Sequence, residues 1–167
     1  MYRKRIAWGL VFAIALGFWF SVTPVTLADT MEDEVLAVAQ QYGQAFNTGD
    51  FELMASLWWQ SEEITHFYGE EPFRQDGWSQ VGEFYGSVLN FFAQLPPGSV
   101  SLSFRQPRVT LLGDDVAIFT DHWVFSLQIP GGPQETAAGR ATGVYQKIEG
   151  KWLIVHLHIS VLPEPPG

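Results

Sequence analysis

The segment Gly150 to Ser160 reads G-K-W-L-I-V-H-L-H-I-S and holds two of the chain's four histidines, His156 and His158, one residue apart. On a strand, side chains two positions apart point to the same side, so this pair could share a metal ion, move protons or simply pack. A metal site needs a third and usually a fourth ligand. No His or Glu cluster on a neighbouring segment supplies one, so no metal is expected and no cofactor is implied. Thiolate chemistry is excluded: the chain has no cysteine, and therefore no disulfide, thiol nucleophile or lipidated cysteine.

The histidine strand closes a series of elements that must position it. Thr30 with Asp33 forms a capping-box start, and Val35, Ala39, Tyr42 and Phe46 then recur at helical spacing until N-T-G-D ends the segment. Asp50 can cap a second, short helix over F-E-L-M-A-S-L-W-W, and I-T-H-F-Y-G reads as a brief strand before the loop E-E-P-F-R-Q-D-G. A third helix carries Trp78, Val81, Tyr85, Val88, Leu89 and Phe92 on one side and ends before Pro96-Pro97-Gly98. From Ser99 the period becomes two. Turn signals at Gly113-Asp114-Asp115, Pro130-Gly131-Gly132-Pro133 and Glu149-Gly150-Lys151 predict four antiparallel strands joined as hairpins.

Helices first and a strand meander last is an α+β pattern, with one face of a curved sheet packed on the helices. On the last strand, strict alternation puts Trp152, Ile154, His156, His158 and Ser160 on one face. Leu153, Val155, Leu157, Ile159 and Val161 fall on the other.

The first residues have a different character. Tyr2-Arg3-Lys4-Arg5 precedes an apolar run from Ile6 to about Val22 and then T-P-V-T-L-A-D, the layout of a secretory signal cut after Ala28. The alternative is an uncut anchor helix, the one route to a membrane association. Either way the remainder is expected outside the cytoplasmic membrane, periplasmic or secreted. The expected organisation is thus a leader over 1–28, one domain over 29–163 and a Pro-rich tail over 164–167. Without the leader, six basic residues face eighteen acidic ones, a net charge of −12. Nucleic acid is therefore not an expected partner, because phosphate contacts need clustered Lys and Arg.

The order of elements, A-Q-Q-Y-G-Q-A-F-N-T-G-D-F in the first two helices and the W-x-I-x-H-x-H-x-S ending after a G-R-x-T strand together resemble the nuclear transport factor 2-like superfamily. Its SnoaL-like domains and the association domain of calcium/calmodulin-dependent kinase II are the nearest pattern. The resemblance implies a cone-shaped barrel of curved, mainly antiparallel sheet wrapped on N-terminal helices, a pocket between the two, and a homodimer formed through the sheet. It does not imply one reaction, since the superfamily contains isomerases, dehydratases, hydrolases, binders and assembly modules.

By similarity to the kinase association domain, Ile159 points into the pocket, so His156 and His158 lie on the outer face. There Arg140, Thr142 and Ser160 are the candidates to pair with them across a dimer interface. The positions matching that module's pocket arginines are Trp123, Gly143 and Ile159, so no anion site is expected. The same parity turns Phe119, Asp121, Trp123, Phe125 and Tyr145 inward, beside Leu157. Trp58, Tyr68, Trp78 and Tyr85 complete an expected aromatic pocket.

Ketosteroid isomerase is similar in another respect: its first helix carries a tyrosine in a comparable context that donates to a developing oxyanion. Carried over, Tyr42 is that donor, His66 takes the place of the missing aspartate base, and a protonated Asp121 is a second donor. Three readings follow: a binder of a small, mainly apolar molecule, a cofactor-independent isomerase or lyase acting on a carbonyl compound, and an assembly module whose pocket is filled by its own side chains.

Overall fold

The first helix, α1 (Leu27–Thr48), buries Val35, Ala39, Tyr42 and Phe46, the stripe expected from their spacing. The computed structural model describes residues 27–69 and 73–162. Most of the expected leader and the expected tail lie outside them. Thr30 does not start the helix, which runs back to Leu27; Leu and Ala continue a helix readily, so a capping pattern behind them sets no boundary. Among the described residues no helix is long and apolar enough to cross a membrane.

The turn at Gly49 has φ +66°, and a β-carbon there would run into the backbone of Ala93 at the end of the third helix. Glycine thus allows the chain to reverse in close contact with a neighbouring helix end. Asp50 then caps α2 (Phe51–Leu57), its carboxylate accepting from the Leu53 N–H at 2.9 Å. A hairpin of β1 (Thr65–Tyr68) and β2 (Gln75–Asp76) leads into α3 (Gly77–Phe92). The expected loop after the first brief strand thus contains a second.

The remaining elements are β3 (Val100–Phe104), β4 (Arg108–Leu111), β5 (Val116–Gln128), β6 (Gln134–Ile148) and β7 (Lys151–Val161). They form five strands rather than the four expected. Both β3 and β4 pair with β5, because the chain breaks between them at Pro107, which has no N–H to give the ladder. The Gln106 N–H turns instead into the Asp121 carboxylate at 2.7 Å, and the Arg105 N–H is shared between the His122 carbonyl at 2.9 Å and the same carboxylate at 3.2 Å. The seven strands make one open, mixed sheet in the order β2-β1-β7-β6-β5-β3, with β4 following β3 along the same edge of β5, antiparallel throughout except for β1 beside β7. Helices on one face of this curved sheet give the expected α+β cone.

Strict alternation fails once, in β7. Val144 of β6 pairs with His156 while Tyr145 pairs with Ile154, leaving Val155 as an extra residue, a β-bulge. The bulge shifts the parity, so Trp152 and Ile154 are buried together with Leu157 and Ile159 rather than sharing the histidine face. The carboxylate of Glu34 on α1 receives the Trp152 indole N–H and the Lys147 ammonium, each at 2.9 Å, tying the helix to β6 and β7. These two donors hold the Glu34 carboxyl below its ordinary pKa.

Bulk and lack of bulk alternate across the sheet. Trp123 of β5 lies over Gly139 of β6, where an added β-carbon would overlap the indole and the Ser160 carbonyl. Gly139→Ala should therefore lower stability by about 1–3 kcal/mol, the usual range for overpacking, measured as a fall in the urea midpoint at unchanged slope.

Candidate functional site: a cavity at the wide end of the cone

Cross-strand registers define the inner surface of the sheet as successive rows. Val100, Leu127 and Glu135 form the outermost row; Leu102, Phe125 and Ala137 the next; Phe104, Trp123, Gly139 and Val161 the third; Asp121, Ala141, Ile159 and Tyr68 the fourth. Deeper rows hold Phe119, Gly143, Leu157 and His66, then Ala117, Tyr145 and Ile154. In the deep rows aromatic and aliphatic side chains close over the glycine, and the space is filled. In the second to fourth rows β6 offers only Ala137, Gly139 and Ala141, and a cavity of about 350 Å³ remains. Tyr42 and Phe46 from α1, with Tyr68, Gly69, Leu102, Trp123, Phe125, Ala137, Ile159 and Val161, line it.

One buried polar chain runs from this cavity into the core. The Tyr42 hydroxyl meets the Tyr85 hydroxyl at 2.9 Å, Tyr85 meets His66 Nε2 at 3.2 Å, and His66 Nδ1 meets Gln75 Oε1 at 2.7 Å. Tyr42, Tyr85 and His66 are all buried. Helical spacing puts Tyr42 and Tyr85 on the inward stripes of α1 and α3, and the β1–β2 register sets His66 directly opposite Gln75. Burial raises the pKa values of both tyrosines, which stay protonated, and pushes that of His66 down from 6.5 to about 4, so its imidazole is neutral at physiological pH.

The sequence-derived site residues separate in the structure. Of the nine expected pocket residues, Tyr68, Trp123 and Ile159 line the cavity. Trp58, Tyr85, Phe119, Tyr145 and Leu157 are closed into the core beneath it, and Trp78 lies half-buried over Gly82. Phe119, Tyr145 and Leu157 share the inward parity, but parity does not say how deep along the strand a side chain lies. Of the proposed catalytic trio, Tyr42 reaches the cavity and His66 lies behind Tyr85. Asp121 is engaged elsewhere, since its two oxygens accept the backbone N–H groups at the β3–β4 break. That is an acceptor's role, where a protonated oxyanion donor was expected.

The cavity residues passed over on sequence, Phe46, Leu102, Ala137 and Val161, carry a readable signal. Phe46 is on the Tyr42 stripe, and Ala137 continues the two-residue parity of Gly139 and Ala141. The indole N–H of Trp123, on the cavity wall, is buried and has no partner among the described residues, an uncompensated donor of the kind that usually finds an acceptor.

The outer face carries the histidines. His158 is exposed, next to Thr142 and Phe67, while Arg140 runs beside Ser160. His156 was expected to need a partner from across an interface. It has one within the chain, the Thr65 hydroxyl on β1, 2.6 Å from Nδ1. Among the described residues no group of His, Asp, Glu or Cys is arranged to hold a metal ion.

The depressed pKa of His66 fixes a sign. The native state favours the neutral imidazole and the unfolded state binds the proton more readily. The stabilisation is therefore complete above pH 6.5 and lost as pH falls from 6.5 toward 4. Over that window the native protein should lose about 3 kcal/mol relative to His66→Asn in the pH dependence of its urea unfolding free energy.

Comparison with known proteins agrees with this architecture. A family model described as a SnoaL-like domain matches residues 35–164. A nuclear transport factor 2-like superfamily protein from Salmonella enterica serovar Typhimurium superposes with TM-score 0.69 at 24% identity, covering 83% of this chain and 96% of that one. The association domain of C. elegans calcium/calmodulin-dependent kinase II gives 0.60 at 23%, covering 77% and 93%. A protein of the same fold family from Streptomyces avermitilis, proposed to be a dehydratase, gives 0.70 at 21%, covering 81% and 99%. At these identities the neighbours share the fold, and the family match spans most of the sequence: the chain belongs to the SnoaL-like domain family.

Proposed function

We propose that this is an exported domain that binds a small, mainly apolar molecule in the cavity at the wide end of the cone. The observation that carries the reading is the cavity: about 350 Å³, walled chiefly by Phe46, Leu102, Phe125, Ala137, Ile159 and Val161, with the Tyr42 hydroxyl as a fixed polar group. That combination of apolar wall and few polar groups suits a small-molecule site. An assembly module would fill this space with its own side chains. Isomerase or lyase chemistry needs a base within reach of the substrate, yet among the described residues the cavity wall carries no carboxylate, imidazole or amine. Export, to the periplasm or beyond, rests on the basic start and apolar run of the leader.

The same reading includes a homodimer through the outer sheet face. Phe67 is 39% exposed there, its ring packed against His156 and His158, on a surface otherwise made of Thr120, His122, Arg140 and Thr142. An apolar ring framed by polar groups resembles the middle of a protein interface.

Two measurements test these proposals. The leaderless protein should bind the neutral fluorophore N-phenyl-1-naphthylamine, and Ala137→Trp, which fills the cavity from its rim, should weaken binding at least about tenfold, a loss of roughly 1.4 kcal/mol. Equal affinity in the two proteins would remove the reading. Light scattering should give a dimer for the leaderless protein and a smaller species for Phe67→Lys; a monomeric parent protein would exclude the interface.

A further inference from the structure

The polar chain behind the cavity has a direction, because each of its groups has a limited number of protons. A glutamine oxygen only accepts, so the 2.7 Å contact between Gln75 Oε1 and His66 Nδ1 requires the proton on Nδ1. A neutral imidazole has one such proton, which leaves Nε2 as a bare acceptor. Tyr85 must then donate to Nε2 across 3.2 Å. Its single proton is used there, so at 2.9 Å from Tyr42 it can only accept. Tyr42 in turn gives its one proton to Tyr85, and the part of its oxygen left for the cavity is lone pair.

We propose that Tyr42 meets the bound molecule as a hydrogen-bond acceptor, beside the unpaired Trp123 N–H donor of the same wall, and that Gln75 sets this polarity from outside the cavity. The cavity therefore selects an apolar molecule bearing a hydroxyl or N–H, which can donate to Tyr42, over its ketone counterpart, which can engage only the Trp123 donor. The proposal rests on the small-molecule reading of the site and reverses the oxyanion-donor role implied by ketosteroid isomerase. For Tyr42 to donate into the cavity, every bond in the chain must invert together. Nε2 would carry the proton, and the Gln75 amide would turn its NH2 group toward Nδ1. His66 is fully buried and holds no second proton near neutral pH, so it cannot donate at both nitrogens and bypass the constraint. Gln75 is thus a positioning residue two side chains removed from the ligand.

The test pairs 2-tetralol with 2-tetralone, which share a skeleton and differ in hydroxyl against carbonyl. Wild-type protein should bind the alcohol about tenfold more tightly, the equivalent of one hydrogen bond. In Gln75→Met the lock is gone, Nε2–H becomes accessible, and the preference should shrink to about twofold or less. Tyr85→Phe frees the Tyr42 proton for the cavity and should do the same. Independently of any ligand, nitrogen-15 NMR of the histidines should find His66 protonated at Nδ1. An Nε2–H tautomer, a wild-type preference for the ketone, or a preference unchanged in Gln75→Met would overturn the proposal while leaving the cavity a binding site. Failure of both probes to bind wild type while His66 shows Nδ1–H would defeat the small-molecule reading itself, and the ligand selectivity with it.

Discussion

The extra residue in β7 is the constraint on which the rest of the structure depends. A regular strand of this length would put one set of alternate residues against the helices for its whole course. Here Val155 resets the phase, and the strand buries Trp152 and Ile154 below the bulge and Leu157 and Ile159 above it. The partners change at the same place. Trp58 makes a single bridge to Ile154, and β1 begins its parallel ladder at His156. The bulge thus joins the closed apex of the cone to its open end, and by the same shift turns His156 and His158 away from the core.

Above the bulge, volume is controlled by pairing large side chains on β5 with small ones on β6. Trp123 rests over Gly139, and Phe125 is paired with Ala137. Nearer the apex Tyr145 folds over Gly143 and Phe119 meets Tyr145 edge to face, leaving no space. The same alternation of bulk therefore produces solid core at one end and a cavity at the other, according to whether a second aromatic layer covers the small residues.

The polar groups within this aromatic core are handled in two ways. Tyr42, Tyr85, His66 and Gln75 satisfy one another in series, as buried polar groups must if they are not to weaken the fold. Asp121 serves the break between β3 and β4 and so supports the shape of the sheet edge near the cavity. The residues that a resemblance to ketosteroid isomerase groups as one constellation are thereby divided between a hydrogen-bond chain and a structural cap, although both face inward.

Much of the fold was legible from spacing. The stripe of α1, the Asp50 cap, the change of period after Ser99 and the three turns locate the helices and most of the strands, because each is a local preference with a repeat of its own. The inward positions of Trp123 and Ile159 and the outward position of His158 followed from parity once the resemblance to the kinase association domain fixed which face is concave. Parity failed where it was carried through the bulge, at Trp152 and Ile154, since an inserted residue leaves no mark in an apolar run. It was also silent on depth, which is why Phe119, Tyr145 and Leu157 were expected in a pocket that they lie beneath.

By itself, then, the sequence determined the class of the fold, the face each strand residue takes between irregularities, and the absence of thiol chemistry. Tertiary structure decided which inward residues meet empty space, what Asp121 binds, and that Tyr42, Tyr85, His66 and Gln75 form one directed chain. Those outcomes depend on contacts between groups far apart in the chain, forty-three positions in the case of Tyr42 and Tyr85. Local periodicity limits where a side chain can point, but a hydrogen bond or a cavity is fixed only when separate elements are packed together.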